Sequence, residues 1–348
     1  MKRYFYFILA SILAFCGCEE RIHLESQDGK KLILNAMLST RDTLHRAFIS
    51  FGTMDDILPA ADGELECYVN GELAGTGSLE FSDGKPSGIP FVAGIRPGDK
   101  VRLVVTTSEG YKAEATALAP KSAEILSVKT DSVTTQLPGD KEVKDYIRFR
   151  ATIRDIPGED NWYRIHMMSD SRTILVALSD YSQFHPEDLG TAIRSHRGPV
   201  EVSNYFDPLL YKGLSLSKEE DLSELNYFAN VLNIFDDKSI RDSEYESTLL
   251  FEANNLSHYN GILYLYPKTW SGGDRFIAKC SLMLRLASMD RKTFNYLNAI
   301  QFERSELSAP IVGQDPIPSN VKGGIGYVCI LSETEYVIPF PYFEIKIE

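Results

Sequence analysis

The sequence predicts a mainly β protein. An immunoglobulin- or transthyretin-like β-sandwich at residues 30–120 is followed by a larger β-rich domain at 121–348 with one or two short helices. Three observations predict it. Short runs that alternate apolar and polar residues recur about every eight to twelve positions, closed by Gly, Pro, Asn or Asp. Helical periodicity is confined to two short stretches. The 348 residues are 43% hydrophobic and 24% charged, a globular balance at a length that suits two domains.

The first stretch reads as an address. Lys2 and Arg3 precede an apolar run from Tyr4 to Phe15, the layout of a secretory signal core. That run is shorter than the roughly 20 residues a membrane-spanning helix needs. It ends in Gly17-Cys18, which resembles the lipobox of bacterial lipoproteins, where a small residue precedes the acylated cysteine. Residues 1–17 are then a signal peptide, Cys18 the lipid attachment point, and 18–29 a lipidated tether. Cys16 fits less well, because bulky Phe15 would occupy its cleavage site. The alternative is an ordinary signal peptide with an incidental cysteine.

Charge narrows the partners. Without Lys2 and Arg3, 34 basic residues remain against 49 acidic ones, and the net moves from −13 to −15. Such a surface repels phosphate backbones and anionic lipid, so nucleic acid is excluded and membrane attachment falls to the acyl chain. Cys67, Cys280 and Cys329 allow one disulfide at most, and no Cys or His spacing suggests zinc.

The elements follow in order. Lys31–Leu38 and Ala47–Phe51 read as strands, and the run 64–69 alternates before Asn70-Gly71, a strong hairpin signal. Residues 101–106 turn at Glu109-Gly110 into 111–115, and Pro120 closes the sandwich. Second-domain strands are expected at 146–154, 162–168, 174–178, 248–253, 262–266 and 276–287. Between 179 and 230 the periodicity weakens, and Tyr181, Phe184, Tyr205, Phe206 and Tyr211 stand among Pro, Gly, Ser and His. These aromatics either pack over the sheet or form a ligand or partner surface. Ser217 and Glu220 form a capping box for a helix at 217–228. The longest helix is expected near 288–304, capped by Ser288, with Phe294, Leu297 and Ile300 on its packing stripe. The glycines of the run 318–326 lead into a strand rather than a helix. They therefore read as positive-φ turns and close backbone approaches, not as a phosphate loop.

Four pieces resemble an uncharacterised family of Bacteroidota outer-membrane lipoproteins: the signal, Leu32-Ile33-Leu34-Asn35-Ala36, Thr293-Phe294-Asn295-Tyr296-Leu297, and Pro318-Ser319-Asn320-Val321-Lys322-Gly323-Gly324-Ile325-Gly326. The chain departs from that pattern by continuing from Tyr327 to Glu348. The resemblance implies outer-membrane surface exposure, for which Glu19-Glu20 would be the export signal, and a gene neighbourhood of TonB-dependent nutrient-uptake receptors. It carries no catalytic residues.

The chain contains no His-Glu-x-x-His, Gly-x-Ser-x-Gly, P-loop or calcium-loop motif. Its acidic pairs (Asp55-Asp56, Glu159-Asp160, Glu219-Glu220, Asp236-Asp237) read as solvated loop charge, although calcium accepts such oxygen ligands. No catalytic residue, resident metal or cofactor is expected beyond the lipid on Cys18. The function expected is non-enzymatic: an accessory or substrate-binding subunit of a TonB-dependent receptor complex, with a small-molecule, glycan or peptide ligand. A surface hydrolase and an adhesin or structural subunit are the alternatives.

Overall fold

A computed structural model of the protein describes residues 29–53, 56–137, 140–176, 194–211, 230–252, 275–303, 318–339 and 343–345. The first half carries β1 (Lys31–Ser39), β2 (Leu44–Gly52), β3 (Ile57–Pro59), β4 (Glu64–Val69), β5 (Glu72–Ser78), β6 (Glu80–Ser82), β7 (Lys85–Val92), β8 (Lys100–Thr106) and β9 (Lys112–Leu118). The second carries β10 (Glu124–Thr135), β11 (Lys144–Arg154), β12 (Trp162–Val176), β13 (Arg194–Val200), β14 (Ile234–Asp236), β15 (Glu244–Glu252) and β16 (Arg275–Met289). Helix α1 (Arg291–Glu303), β17 (Val321–Lys322), β18 (Val328–Pro339) and β19 (Phe343–Ile345) complete the order. The fold is mainly β, as the sequence predicts.

Strand alternation builds the layers. Leu32, Leu34, Ala36 and Leu38 form one buried stripe on β1, and Val101, Leu103 and Val105 form another on β8. These stripes meet in a core between the sheet carrying β1, β2 and β7 and the sheet β17-β9-β8-β4-β5. Asn70 and Gly71 close the β4–β5 hairpin at φ 53° and 92°, as a two-residue turn requires. A second core lies between β10-β11-β15 and the inner face of β12, β16 and β18, where Phe149 and Phe251 join Ile165, Leu284 and Leu286. Phe294 and Leu297 of α1 cover Ala287 and Leu331 on the opposite face.

One sheet runs through both halves in the order β13-β12-β16-β18-β1-β2-β7-β6. Its joint is β18. Residues 328–331 pair in parallel with 36–39, and 332–339 pair antiparallel with β16. The stretch 318–331, which the sequence reading groups with the second domain, thus lies against the first sandwich. A parallel pairing between opposite ends of the chain leaves no local signature.

Two expectations change in detail. The run 162–168 and residues 174–176 of the next are one strand, β12, paired to β16 throughout, while 177 and 178 fall outside the described residues. Ser288 is not a helix cap: it lies inside β16, where its hydroxyl accepts a hydrogen bond from the Ala123 amide at 3.1 Å. Asp290 is the cap, its Oδ1 accepting from the Thr293 amide at 2.7 Å. Cys67 and Cys329 are buried free thiols, which burial pushes up to about 11 and about 12. The strand at 262–266 and the helix at 217–228 fall outside the described residues.

Candidate functional site

Ser203 pairs with Leu250 through two backbone hydrogen bonds of 2.8 Å, adding an edge to the sheet of β15. The chain then turns through Tyr205-Phe206-Asp207-Pro208. Asp207 is fully buried and saturated with donors. Its Oδ1 accepts from the Leu209 and Leu210 amides at 2.9 Å and the Tyr245 hydroxyl at 2.7 Å. Its Oδ2 accepts from the Thr248 amide at 2.9 Å and the Ser247 hydroxyl at 2.5 Å. A carboxylate is tolerated in such burial only when its oxygens are satisfied this fully. Burial, then the bond to Asp207, pushes the Tyr245 phenol up.

The aromatic residues sit on that frame. The Tyr205 ring lies 5.2 Å from Phe206 and 4.9 Å from Tyr211, both edge-on. Phe206 is 44% exposed, and its two neighbours are half-buried. Three of the five aromatics singled out in the sequence therefore come together. Tyr181 and Phe184 lie outside the described residues, as does Cys18. Asp207 was missed, and its only sequence signal is the turn-forming Asp-Pro pair.

A cleft of about 520 Å³ opens between α1, β9 and the 318–327 segment, within the size range of small-molecule sites. Glycine shapes one wall. Gly326 has φ +117°, and a Cβ on Gly324 or Gly326 would stand 2.2 Å from the Leu32 or Leu34 carbonyl oxygen. Only glycine lets the segment lie this close to β1, as the sequence reading of these residues anticipates. Asn320 locks the wall, donating to the Val328 carbonyl at 2.7 Å and accepting from the Val328 amide at 2.9 Å. The Asn35 side chain accepts from the Tyr327 amide at 2.9 Å. Behind them Tyr327, 3% exposed, stacks on Tyr296 of α1 with ring centroids 4.1 Å apart.

Polar side chains line the remainder of the cleft. Lys292 and Asn295 stand almost one turn apart on α1, Glu114 and Thr116 come from β9, and Lys322 comes from β17. Glu114 is paired with Arg102 at 3.4 Å. Lys292 and Lys322 have no carboxylate within ion-pair distance among the described residues.

Other charged groups prove structural. Asp237, 1% exposed, accepts from the Asn161 amide at 3.0 Å, and Asp155 accepts from the Tyr163 hydroxyl at 2.5 Å and the Asp242 amide at 2.8 Å. Glu159 pairs with Lys121, and Asp160 with Arg241. Of the pairs 159–160 and 236–237, only Asp237 is buried in the fold; Glu159 and Asp160 are exposed, as expected of solvated loop charge. On the outer face of β16 and β18, Arg285 bridges Glu333 at 3.2 Å and Glu335 at 2.8 Å. Burial opposes the Glu335 charge, but Arg285 and Arg41 overcome it and hold the carboxyl below its usual range. His166 lies 3.5 Å from Glu333, yet burial, with Arg164 and Arg285 nearby, pushes its imidazole down to about 3. The contact is therefore no ion pair at neutral pH.

Among the described residues no three His, Cys, Asp or Glu side chains gather as a metal site, and no helix is long and apolar enough to cross a membrane. A family model described as a domain of unknown function, DUF4249, matches residues 19–336. No curated protein matches the chain.

Proposed function

The chain belongs to the DUF4249 family, and from that premise we propose that it is a lipid-anchored, non-enzymatic binding subunit at the outer-membrane surface, serving a TonB-dependent nutrient-uptake complex. One observation carries the binding role: Phe206 stands 44% exposed on a turn fixed by a saturated buried carboxylate. A rigid, exposed aromatic supplies contact area at low entropic cost. The Gly17-Cys18 junction and Glu19-Glu20 support the anchor and its surface location.

The test uses the full chain in its native membrane. Mild detergent extraction with this protein as bait is expected to recover a large β-barrel receptor. Phe206→Ala should cut that recovery about tenfold or more, as loss of an interface hot spot does, without moving the unfolding midpoint. Recovery of the protein alone overturns the reading. Turnover of a glycan or peptide, abolished by one carboxylate substitution, would replace it with the hydrolase.

A further inference from the structure

We infer that the cleft between α1, β9 and the 318–327 segment binds a small, hydroxyl-rich anion of the acidic-sugar class. The inference extends the binding role to a second site and does not depend on the aromatic turn. Three observations carry it. The first is preorganisation. The glycine wall is pressed onto β1, Asn320 and Asn35 hold its backbone, and Tyr327 is stacked in place, so the roughly 520 Å³ space exists before any ligand arrives. Little conformational entropy is left to lose on binding.

The second is charge. Lys322 stands opposite Glu114 in the β17–β9 pairing, and Arg102 already lies 3.4 Å from that carboxylate on its other side. Arg102 meets the Glu114 charge, which leaves Lys322 and Lys292 lining the cleft, with Asp290 the next anion at the start of α1. The uncompensated sign is positive, in a chain whose formal net charge is −13. A zwitterion would bring an ammonium group to a carboxylate that Arg102 already serves, so the excess favours a purely anionic ligand.

The third is the lining. Thr116, Asn295 and Ser319 offer hydroxyl and amide groups, and Pro318 with the rim of Tyr327 supplies the apolar share. Such a mixed lining suits a sugar ring better than a wholly apolar ligand. A molecule that carries its own hydroxyls would satisfy these groups and donate to Glu114.

Titration calorimetry of the detergent-solubilised full chain tests this with galacturonate, galactose, acetate and glutamate. Galacturonate should bind, at least tenfold more tightly than galactose or acetate and more tightly than glutamate, and the binding should weaken with added salt. Lys292→Gln with Lys322→Gln should lower galacturonate affinity about tenfold or more. Both lysines are exposed, so the unfolding midpoint should hold. No galacturonate binding by the folded protein overturns the inference. Equal binding of galactose refutes the charge argument, equal binding of acetate the hydroxyl argument, and preferred glutamate the argument against a zwitterion. Receptor recovery with the Gln variants reports on the aromatic turn alone, so the two proposals fail separately.

Discussion

The two halves of this molecule are held together by different means. The first core is apolar stripe against apolar stripe, with Leu32, Leu34, Leu65, Leu103 and Val105 all at or near zero exposure. Among the described residues, the buried charged side chains Asp155, Asp207, Asp237, Arg285 and Glu333 all belong to the second. The difference follows the path of the chain. Adjacent hairpins satisfy their own backbone groups through ladder hydrogen bonds. Irregular segments do not, and each buried amide among them needs an acceptor. Asp207 supplies acceptors to 209–210 and 248, and Asp155 and Asp237 supply them to 242 and 161. The three buried aspartates thus mark places where the second half leaves its sheets, whereas Glu333 lies within β18 and pairs with Arg285.

The largest expected effect tests this directly. Asp207→Ala leaves the Leu209, Leu210 and Thr248 amides and the Tyr245 and Ser247 hydroxyls without that acceptor. Breaking a buried charged network typically costs about 3–5 kcal/mol. Leu103→Ala in the first core should cost a comparable 2–5 kcal/mol or so through its cavity. Denaturant unfolding gives both numbers, and limited proteolysis separates their causes. The Asp207 variant should be cut within 205–211 under conditions that leave the Leu103 variant intact. A cost below about 1 kcal/mol for Asp207→Ala would dissolve the contrast between the halves.

The same contrast explains what the sequence revealed. Several strands of the first half were readable because their partners are neighbours, although β3, β6 and β7 went unread. The β4–β5 and β8–β9 hairpins announce themselves by alternation and by Asn70-Gly71 and Gly110. Parallel pairing of β1 with β18 is set by two distant segments, and neither carries a mark of the other. For the candidate sites, Tyr205, Phe206 and Tyr211 were visible as aromatics in weakly patterned sequence. Asp207 was not, because a buried acceptor and a solvated acid look alike in one dimension. The cleft was invisible as a site for a related reason: its glycines were legible, but Lys292, Glu114 and Lys322 meet only after the C-terminal segment returns to β9.

A smaller effect separates the halves by pH. The unfolded His166 imidazole protonates near 6.5, and the folded one only near 3. Between those values the unfolded state binds a proton that the folded state does not. Stability is therefore full above 6.5 and falls as pH drops through the window, by up to about 1.4 kcal/mol per pH unit. Arg164, Arg285, Glu333 and Glu335 surround this part of the outer face, so the slope belongs to the second half. His45, which burial in the first core also pushes down, contributes in the same direction and remains in a His166→Gln variant. Unfolding curves at pH 7 and 5 should show a shallower loss in that variant than in the parent chain. Equal slopes would mean that His166 does not stay neutral in the fold.

The smallest effect sharpens the comparison most, because it keeps the carboxylate acceptor and changes its burial and the number of its donors, from five to one. Asp290 does for α1 what Asp207 does for the aromatic turn: a carboxylate oxygen accepts from a backbone amide, here that of Thr293 at 2.7 Å. Asp290, however, is exposed. Water can replace most of what an exposed acceptor provides, so Asp290→Ala should cost only about 1 kcal/mol, the usual penalty for losing a helix cap. Thermal or denaturant unfolding measures it against Asp207→Ala. A ratio of about three or more between the two assigns the stability of the second half to buried, multiply bonded acceptors rather than to carboxylates as such. Near equality would mean that the start of α1 carries more than its cap. The Tyr296–Tyr327 stack, which joins the helix to the glycine wall, would then be the contact to remove next.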